Sequence, residues 1–352
     1  MPLYAQSPTP AEIDAIFASF DRPGSVGCAL GVARNGEFLY KRGYGYAHLD
    51  WDLPITPTTV FYVGSVSKQF TAASIALLAQ QGTLALDDDI RKHLPELPQR
   101  DRNVTVRHLI HHTSGVPDMY RVMREHGLTT WDQFSRQEAL TLLATQDLDF
   151  TPGEKYQYSN GGYFLLSIIV ERASGKTLRV YADEQIFRPL GMNDTHFHDD
   201  PVHIVKRRAM SYGTSQDGRD GYYQSYQGNF ALPGAGGLYT TVEDLLRWDR
   251  NFLDNRLVGG DDFVNLMHTP GVLNNGEILD YAFAIREGEH GGLKTQGHTG
   301  SFMGFKAYYV RFPAQRFSTW VFCNMADIVP EELGLRVAEM YLSNEMAEAS
   351  RD

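Results

Sequence analysis

The sequence predicts a protein of mixed α and β structure: an antiparallel β-sheet flanked by helices, with a mostly helical domain inserted. Two observations carry that reading. Strand hairpin patterns stand near both ends of the chain, and the stretch between them has helical segments with almost no clean strand alternation. The expected layout is a sheet domain built from 10–94 and 209–346, an inserted mainly helical domain over 95–208, and an active-site cleft between them.

Each element has its own signal. AEIDAIFASF sets Ile13, Ile16, Phe17 and Phe20 at helical spacing and predicts an amphipathic first helix. SVGCALGVARNGEFLYKRGYGYAHLD alternates on both sides of Asn35-Gly36, two residues that tolerate positive φ, and predicts a type I′ hairpin. Val66, Phe70, Ala73 and Leu77, with Gly82 as the left-handed C-terminal residue, predict a helix whose first turn holds Ser65. QEALTLLATQ, GYFLLSIIVERAS and RVYADEQIF supply helices of the insertion. FKAYYVRFPAQRFSTWVFCNM repeats the hairpin pattern around Pro313-Ala314-Gln315, and ELGLRVAEMYLS closes the chain as a helix.

Composition narrows the function. The 352 residues are 42% hydrophobic, enough for a sizeable core and a length prior of roughly two domains. Acidic residues outnumber basic ones 43 to 32, for a net charge of -11, so the electrostatic footprint of nucleic-acid or anionic-membrane binding is missing. A small-molecule or short-peptide substrate is the expected partner. No apolar stretch approaches the ~20 residues of a membrane helix. MPLYAQSPTP has neither the basic start nor the apolar run of a leader, so the chain as given reads as mature or cytosolic; Leu3 argues against PLYA as a cleaved stub. Cys28 and Cys323 are too few for a disulfide framework or a four-thiolate metal site and read as small core residues of two strands.

The chemistry centres on FYVGSVSKQFTA. Ser65 and Lys68 are one turn apart on one helix face, near N–H groups that carry positive partial charge. That geometry suits proton abstraction from Ser65, provided burial or nearby cations depress the lysine pKa. With 18 serines and 8 lysines in the chain, chance alone gives about 0.4 such pairs, so the pair by itself decides little. Two further triplets change that. Tyr158-Ser159-Asn160 stands in a polar loop entering an apolar helix, and His298-Thr299-Gly300 ends a strand.

Together the three motifs resemble the serine β-lactamase and penicillin-binding protein superfamily, in particular its class C β-lactamase-like esterases, D-aminopeptidases and carboxypeptidases. LIHHTSGVPD, TPGEKYQYSN and GAGGLYTTVEDLLRW are similar to that group's connecting segments, and the resemblance runs from about Ala11 to Leu342. It implies the same inserted-domain fold and a serine hydrolase that forms an acyl-enzyme without a cofactor. It also implies roles: Ser65 as nucleophile, Lys68 sharing its proton, and Tyr158 as a second base whose phenolate is stabilised by cations. Asn160 would bind the substrate amide, Gly300 would leave room for the acyl group, and the backbone N–H groups of Ser65 and Ser301 would form the oxyanion hole. His298 departs from the β-lactamases proper, which carry lysine there. A mostly neutral imidazole weakens carboxylate recognition, which favours esters, amides or D-amino-acid derivatives over penicillins.

Rival readings have weaker support. His196, His198 and His203 lie near Asp194, Asp199 and Asp200 but lack metal-ligand spacing, so they read as a solvated loop and no metal is expected. His111-His112 reads as a turn followed by Thr113-Ser114-Gly115. No serine stands in G-x-S-x-G, which disfavours an α/β-hydrolase. A catalytically slow penicillin-binding or sensor protein of the same fold is the non-enzymatic alternative. Oligomeric state is not legible in the sequence.

Overall fold

The computed structural model describes residues 7–129, 132, 135–214, 221–224 and 232–349; the start of the chain, including Leu3, lies outside them. Its centre is an antiparallel six-stranded sheet. Two strands come from the start of the chain, Cys28–Arg34 (β1) and Glu37–Tyr44 (β2). Four come from the end: Arg286–His290 (β3), Leu293–Phe302 (β4), Phe305–Phe312 (β5) and Phe317–Cys323 (β6). The spatial order is β3-β4-β5-β6-β1-β2, so the two chain ends meet at the β6–β1 pair.

Local chemistry explains the elements. The first helix, Pro10–Ile16 (α1), starts from a Thr9/Glu12 capping box with proline at its first position. Asn35 and Gly36 take φ values of 54° and 75°, the left-handed pair a type I′ hairpin requires. Gly82, also left-handed at φ 70°, follows the helix Lys68–Gln80 (α2). The expected helices over QEALTLLATQ and GYFLLSIIVERAS are Arg136–Ala144 and Asn160–Ser174; RVYADEQIF is Leu178–Ala182 running into a π-turn. The closing helix is Pro330–Ala349.

Two apolar layers sandwich the sheet. On one face, Ile13 of α1, Phe17 just after it, and Val337 and Leu342 of the closing helix pack with Leu30, Val32 and Val321. On the other, Val242–Asn251 packs on β1, β2 and β6, where Trp320 Nε1 donates to the Val242 carbonyl; α2 joins the same apolar cluster through Phe70, whose ring meets Trp248, and Asn160–Ser174 packs on α2. Because α2 is covered on every side, it is buried from Lys68 to Leu78 and lacks the polar face of a surface helix.

Two sequence expectations change. Ser65 is not in the first turn of α2 but in a 3-10 turn, Gly64–Ser67, that precedes it. The cause is Gly64, whose φ of +52° lets the chain turn tightly against β4. Cys28 and Cys323 are not separate core residues. The antiparallel register sets them directly opposite each other, and they form a disulfide across β1 and β6 that closes a separation of 295 residues. Nothing local in the sequence announces a pair that only strand register creates. Denatured, unreduced protein should therefore give no thiol reaction with Ellman's reagent, and two thiols per chain after reduction. Replacing both cysteines by alanine should cost roughly 2–5 kcal/mol of stability, read from denaturant unfolding.

Candidate active site

The 3-10 turn that carries Ser65 is pressed against the HTG segment of β4 by two glycines. A Cβ on Gly64 would stand 2.5 Å from the Ser301 nitrogen. One on Gly300 would stand 2.0 Å from the Val63 carbonyl oxygen and 3.2 Å from the Ser65 nitrogen. Only bare backbone fits on both sides, and this brings the Ser65 and Ser301 amides to one edge of the cleft.

Lys68 is the first residue of α2 and is fully buried. Its Nζ lies 3.1 Å from Ser65 Oγ, 2.8 Å from Asn160 Oδ1 and 2.6 Å from the Ala235 carbonyl oxygen. Desolvation lowers its pKa to about 7, opposed in part by the negative charge of Asp118. A neutral amine has two N–H bonds and one lone pair. Asn160 Oδ1 and the Ala235 carbonyl can only accept, so they take the two hydrogens and leave the lone pair for the Ser65 hydroxyl.

Asn160 is held for that purpose. Asp118 Oδ2 accepts from its Nδ2 at 2.7 Å and from its backbone N–H at 3.0 Å, which turns Oδ1 toward Lys68. Asp118 Oδ1 meanwhile caps the helix Met119–Glu125. The N-cap of Asn160–Ser174 is Ser159, whose hydroxyl accepts from the Gly162 N–H, so the Asn160 side chain is not needed as a cap and bridges Asp118 to Lys68 instead. Ala235 belongs to the GAGG turn, anchored where Thr71 donates to the Gly234 carbonyl at 2.8 Å.

The Tyr158 ring stacks beneath Lys68 Nζ, 4.7 Å from the ring centroid. Its hydroxyl is buried and makes no hydrogen bond of ordinary geometry. Burial raises its pKa, only partly offset by the adjacent Ser65 hydroxyl and the more distant charge of Arg286. Burial thus favours the neutral phenol over the phenolate that the resemblance implies. Lys68, with a pKa of about 7, is only partly charged near neutral pH, and Arg286 is shared with Asp280 at 3.0 Å and the Tyr156 hydroxyl at 3.1 Å.

His298 is the neutral imidazole that the sequence suggests, held more firmly than in water. It is buried, and both nitrogens are occupied: Nδ1 lies 2.6 Å from the Thr299 carbonyl oxygen and Nε2 3.0 Å from the Tyr281 hydroxyl. Burial and the nearby charges of Lys68 and Arg286 bring its pKa down to about 4, against the favourable bond to Thr299. Thr299 and Ser301 are exposed at the cleft edge, and Ser301 Oγ accepts from Lys306 at 2.9 Å. The open cleft has a volume of about 620 Å³ and includes Ser65, Tyr158, His298, Arg286, Glu287, Glu289 and Glu331 in its lining.

Thus Ser65, Lys68, Tyr158, Asn160, His298, Thr299, Gly300 and Ser301 converge on one cleft. Sequence reasoning missed Asp118, Ala235, His112 and Tyr281. The first three lie inside quoted connecting segments, but Asp118 acts through Asn160, a residue 42 positions away, and Ala235 acts through its carbonyl. His112 stands in a left-handed turn, as its neighbours suggest, yet its ring is buried against Tyr158, 4.3 Å between centroids. The His196 region is also not a solvated loop. His196–Phe197 pairs with Leu238–Thr240, His198 is buried, and its ring meets Tyr239 edge-on.

A family model described as Beta-lactamase matches residues 13–347. The chain belongs to the β-lactamase family. Penicillin-binding protein 4* of Bacillus subtilis is 30% identical over 332 residues, covering 88% of this chain and 71% of that protein. A D-aminopeptidase of Gluconobacter oxydans is 28% identical over 322 residues, 89% of this chain but only 58% of its own length. Among solved structures, the octameric penicillin-binding protein homologue from Pyrococcus abyssi superposes with a TM-score of 0.80 at 27% identity, covering 95% of this chain and 76% of that one. A D-amino acid amidase from Ochrobactrum anthropi SV3 shares the fold, with a TM-score of 0.79 at 22% identity over 98% of this chain and all of that one. By family the protein is a β-lactamase-like serine hydrolase, and among its described residues no helix is long and apolar enough to cross a membrane.

Lys68 in this β-lactamase-family protein should titrate with a midpoint near 7, observable by NMR of 13Cε-labelled lysine; a midpoint above 10 excludes it as a base. Asp118→Asn removes the charge that raises that pKa while keeping a good N-cap residue, so the midpoint should move lower still.

Proposed function

We propose that this protein hydrolyses amides of small amino-acid or short-peptide substrates through an acyl-enzyme on Ser65. The observation that carries the reading is the buried Lys68, whose lone pair is directed at Ser65 by two obligate acceptors. Ser65 Oγ attacks the substrate carbonyl as its proton passes to Lys68 Nζ. The oxyanion that forms is held by the Ser65 and Ser301 backbone N–H groups. Collapse breaks the C–N bond, and the leaving amine takes the proton of the Tyr158 hydroxyl, which Lys68 replaces. Water then enters, gives up a proton along the same path and releases the acid, restoring Ser65. In this reading the cleft lies between the sheet-bearing part, 10–94 and 209–346, and the inserted part, 95–208.

Substrate charge follows from the lining. His298 offers no cation, and Arg286 is engaged by Asp280 and Tyr156, whereas Glu287, Glu289 and Glu331 leave the cleft rim acidic. That field favours a substrate with a free ammonium group over one with a carboxylate. The relatives named D-aminopeptidase support amides of D-amino acids as the class to test first.

A fluorophosphonate should label Ser65, and Ser65→Ala should abolish turnover; an adduct mapped elsewhere overturns the nucleophile assignment. D-amino-acid p-nitroanilides should be hydrolysed in preference to nitrocefin, and kcat/KM for an uncharged ester should rise with pH through about 7, as Lys68 loses its proton. Activity independent of pH between 5 and 9 contradicts the role given to Lys68.

A further inference from the structure

A continuous hydrogen-bond chain crosses the floor of the cleft. The Ser159 backbone N–H lies 3.1 Å from His112 Nδ1, His112 Nε2 lies 3.3 Å from the Tyr281 hydroxyl, and that hydroxyl lies 3.0 Å from His298 Nε2. His298 Nδ1 ends the chain at the Thr299 carbonyl oxygen, 2.6 Å away. Both ends are backbone groups, and each has only one possible polarity. The Ser159 N–H can only donate, so His112 Nδ1 carries a lone pair and Nε2 carries the hydrogen. The Thr299 carbonyl can only accept, so His298 Nδ1 carries the hydrogen and Nε2 the lone pair. Tyr281 accepts from His112 and donates to His298, which satisfies its fully buried hydroxyl.

We propose that Tyr281 is a positioning residue that locks His298 as a neutral Nδ1–H imidazole, so that the cleft rejects carboxylate-bearing substrates at this position. This rests on the acyl-enzyme reading of the cleft and adds the device that sets its charge. Protonating His298 puts a second N–H against the Tyr281 oxygen, beside the one from His112, and the Tyr281 hydrogen loses its acceptor. The other groups facing the imidazole reinforce that cost. Lys68 and Arg286 are cationic or potentially so, the Tyr158 ring stands 6.2 Å away, and Tyr163 borders the Tyr281 hydroxyl. Burial independently drives the His112 pKa well below that of a free imidazole, which fits the neutral state required at the other end.

The lock also joins two walls that the sequence keeps far apart. One end of the chain is the YSN segment that enters Asn160–Ser174, and the other is the HTG segment of β4. Tyr281 comes from neither wall. Its backbone is fixed separately, where its carbonyl accepts from the Gly271 N–H at 3.0 Å.

The test is nitrogen-15 NMR of the histidine side chains in the wild-type protein and in Tyr281→Phe. Wild type should show His298 as the neutral Nδ1–H tautomer and His112 as the neutral Nε2–H tautomer from pH 8 down to pH 5.5. Tyr281→Phe, which keeps the ring volume, should free His298 Nε2 and let His298 take up a proton within that range. The matched activity readout is the kcat/KM ratio of p-nitrophenyl hemisuccinate to p-nitrophenyl butyrate. Relative to wild type at the same pH, so that Glu287, Glu289, Glu331 and Arg286 act equally in both, that ratio should grow about tenfold in the variant between pH 8 and pH 5.5. A wild-type His298 that is charged at pH 7, or that carries its hydrogen on Nε2, overturns the proposal, and needs no folded variant to do so. A variant with wild-type tautomers and an unchanged ratio also overturns it. Failure of Ser65 labelling with the NMR result intact removes only the acyl-enzyme reading.

Discussion

Burial of the Lys68 amine is the constraint on which the rest of the site depends. An ammonium removed from water without a carboxylate in contact is strongly disfavoured, so the group either finds acceptors or gives up its proton. Here it does both: Ala235 and Asn160 supply acceptors, and desolvation brings its pKa to about 7. Asp118 is the tuning element. It stays one residue removed, bonded to Asn160 rather than to Lys68, so its charge is felt without fixing the proton on the lysine. A direct ion pair in that place would leave no lone pair for Ser65.

The second constraint is steric. The Ser65 and Ser301 amides, on two unrelated segments, come together only if neither segment carries a side chain at the contact, and Gly64 and Gly300 meet that need from opposite sides. The same approach explains why Ser65 sits in a 3-10 turn. A regular α-helical start would carry Ser65 away from β4, whereas the left-handed Gly64 turns the chain back toward it. The sheet makes the contact durable, because β4 is paired with β5 from Gln296 to Phe302 and with β3 from Leu293 to Gly297.

Much of the fold was legible because its signals are local. Asn35-Gly36, the first helix, the apolar helix after Asn160 and the closing helix each depend on a few neighbouring residues, and the structure contains them all. The misread features are those whose environment comes from distant chain. His112 and His298 are ordinary imidazoles in the sequence, and burial is what keeps them neutral well below the pH at which a free imidazole takes up a proton. Cys28 and Cys323 become a disulfide only through the register of β1 against β6.

The sequence by itself determined which functional groups are present and in what local setting: a serine and a lysine one turn apart, a tyrosine before a capped helix, and a histidine beside a glycine on a strand. Spacing and capping are properties of a few consecutive residues, so they survive without knowledge of the fold. Tertiary structure alone decided the protonation of those groups. A pKa answers to solvent exclusion and to charges brought near through space. Asp118, Ala235, Tyr281 and Lys68 are separated by up to 213 positions in the chain and share one small volume only after it folds.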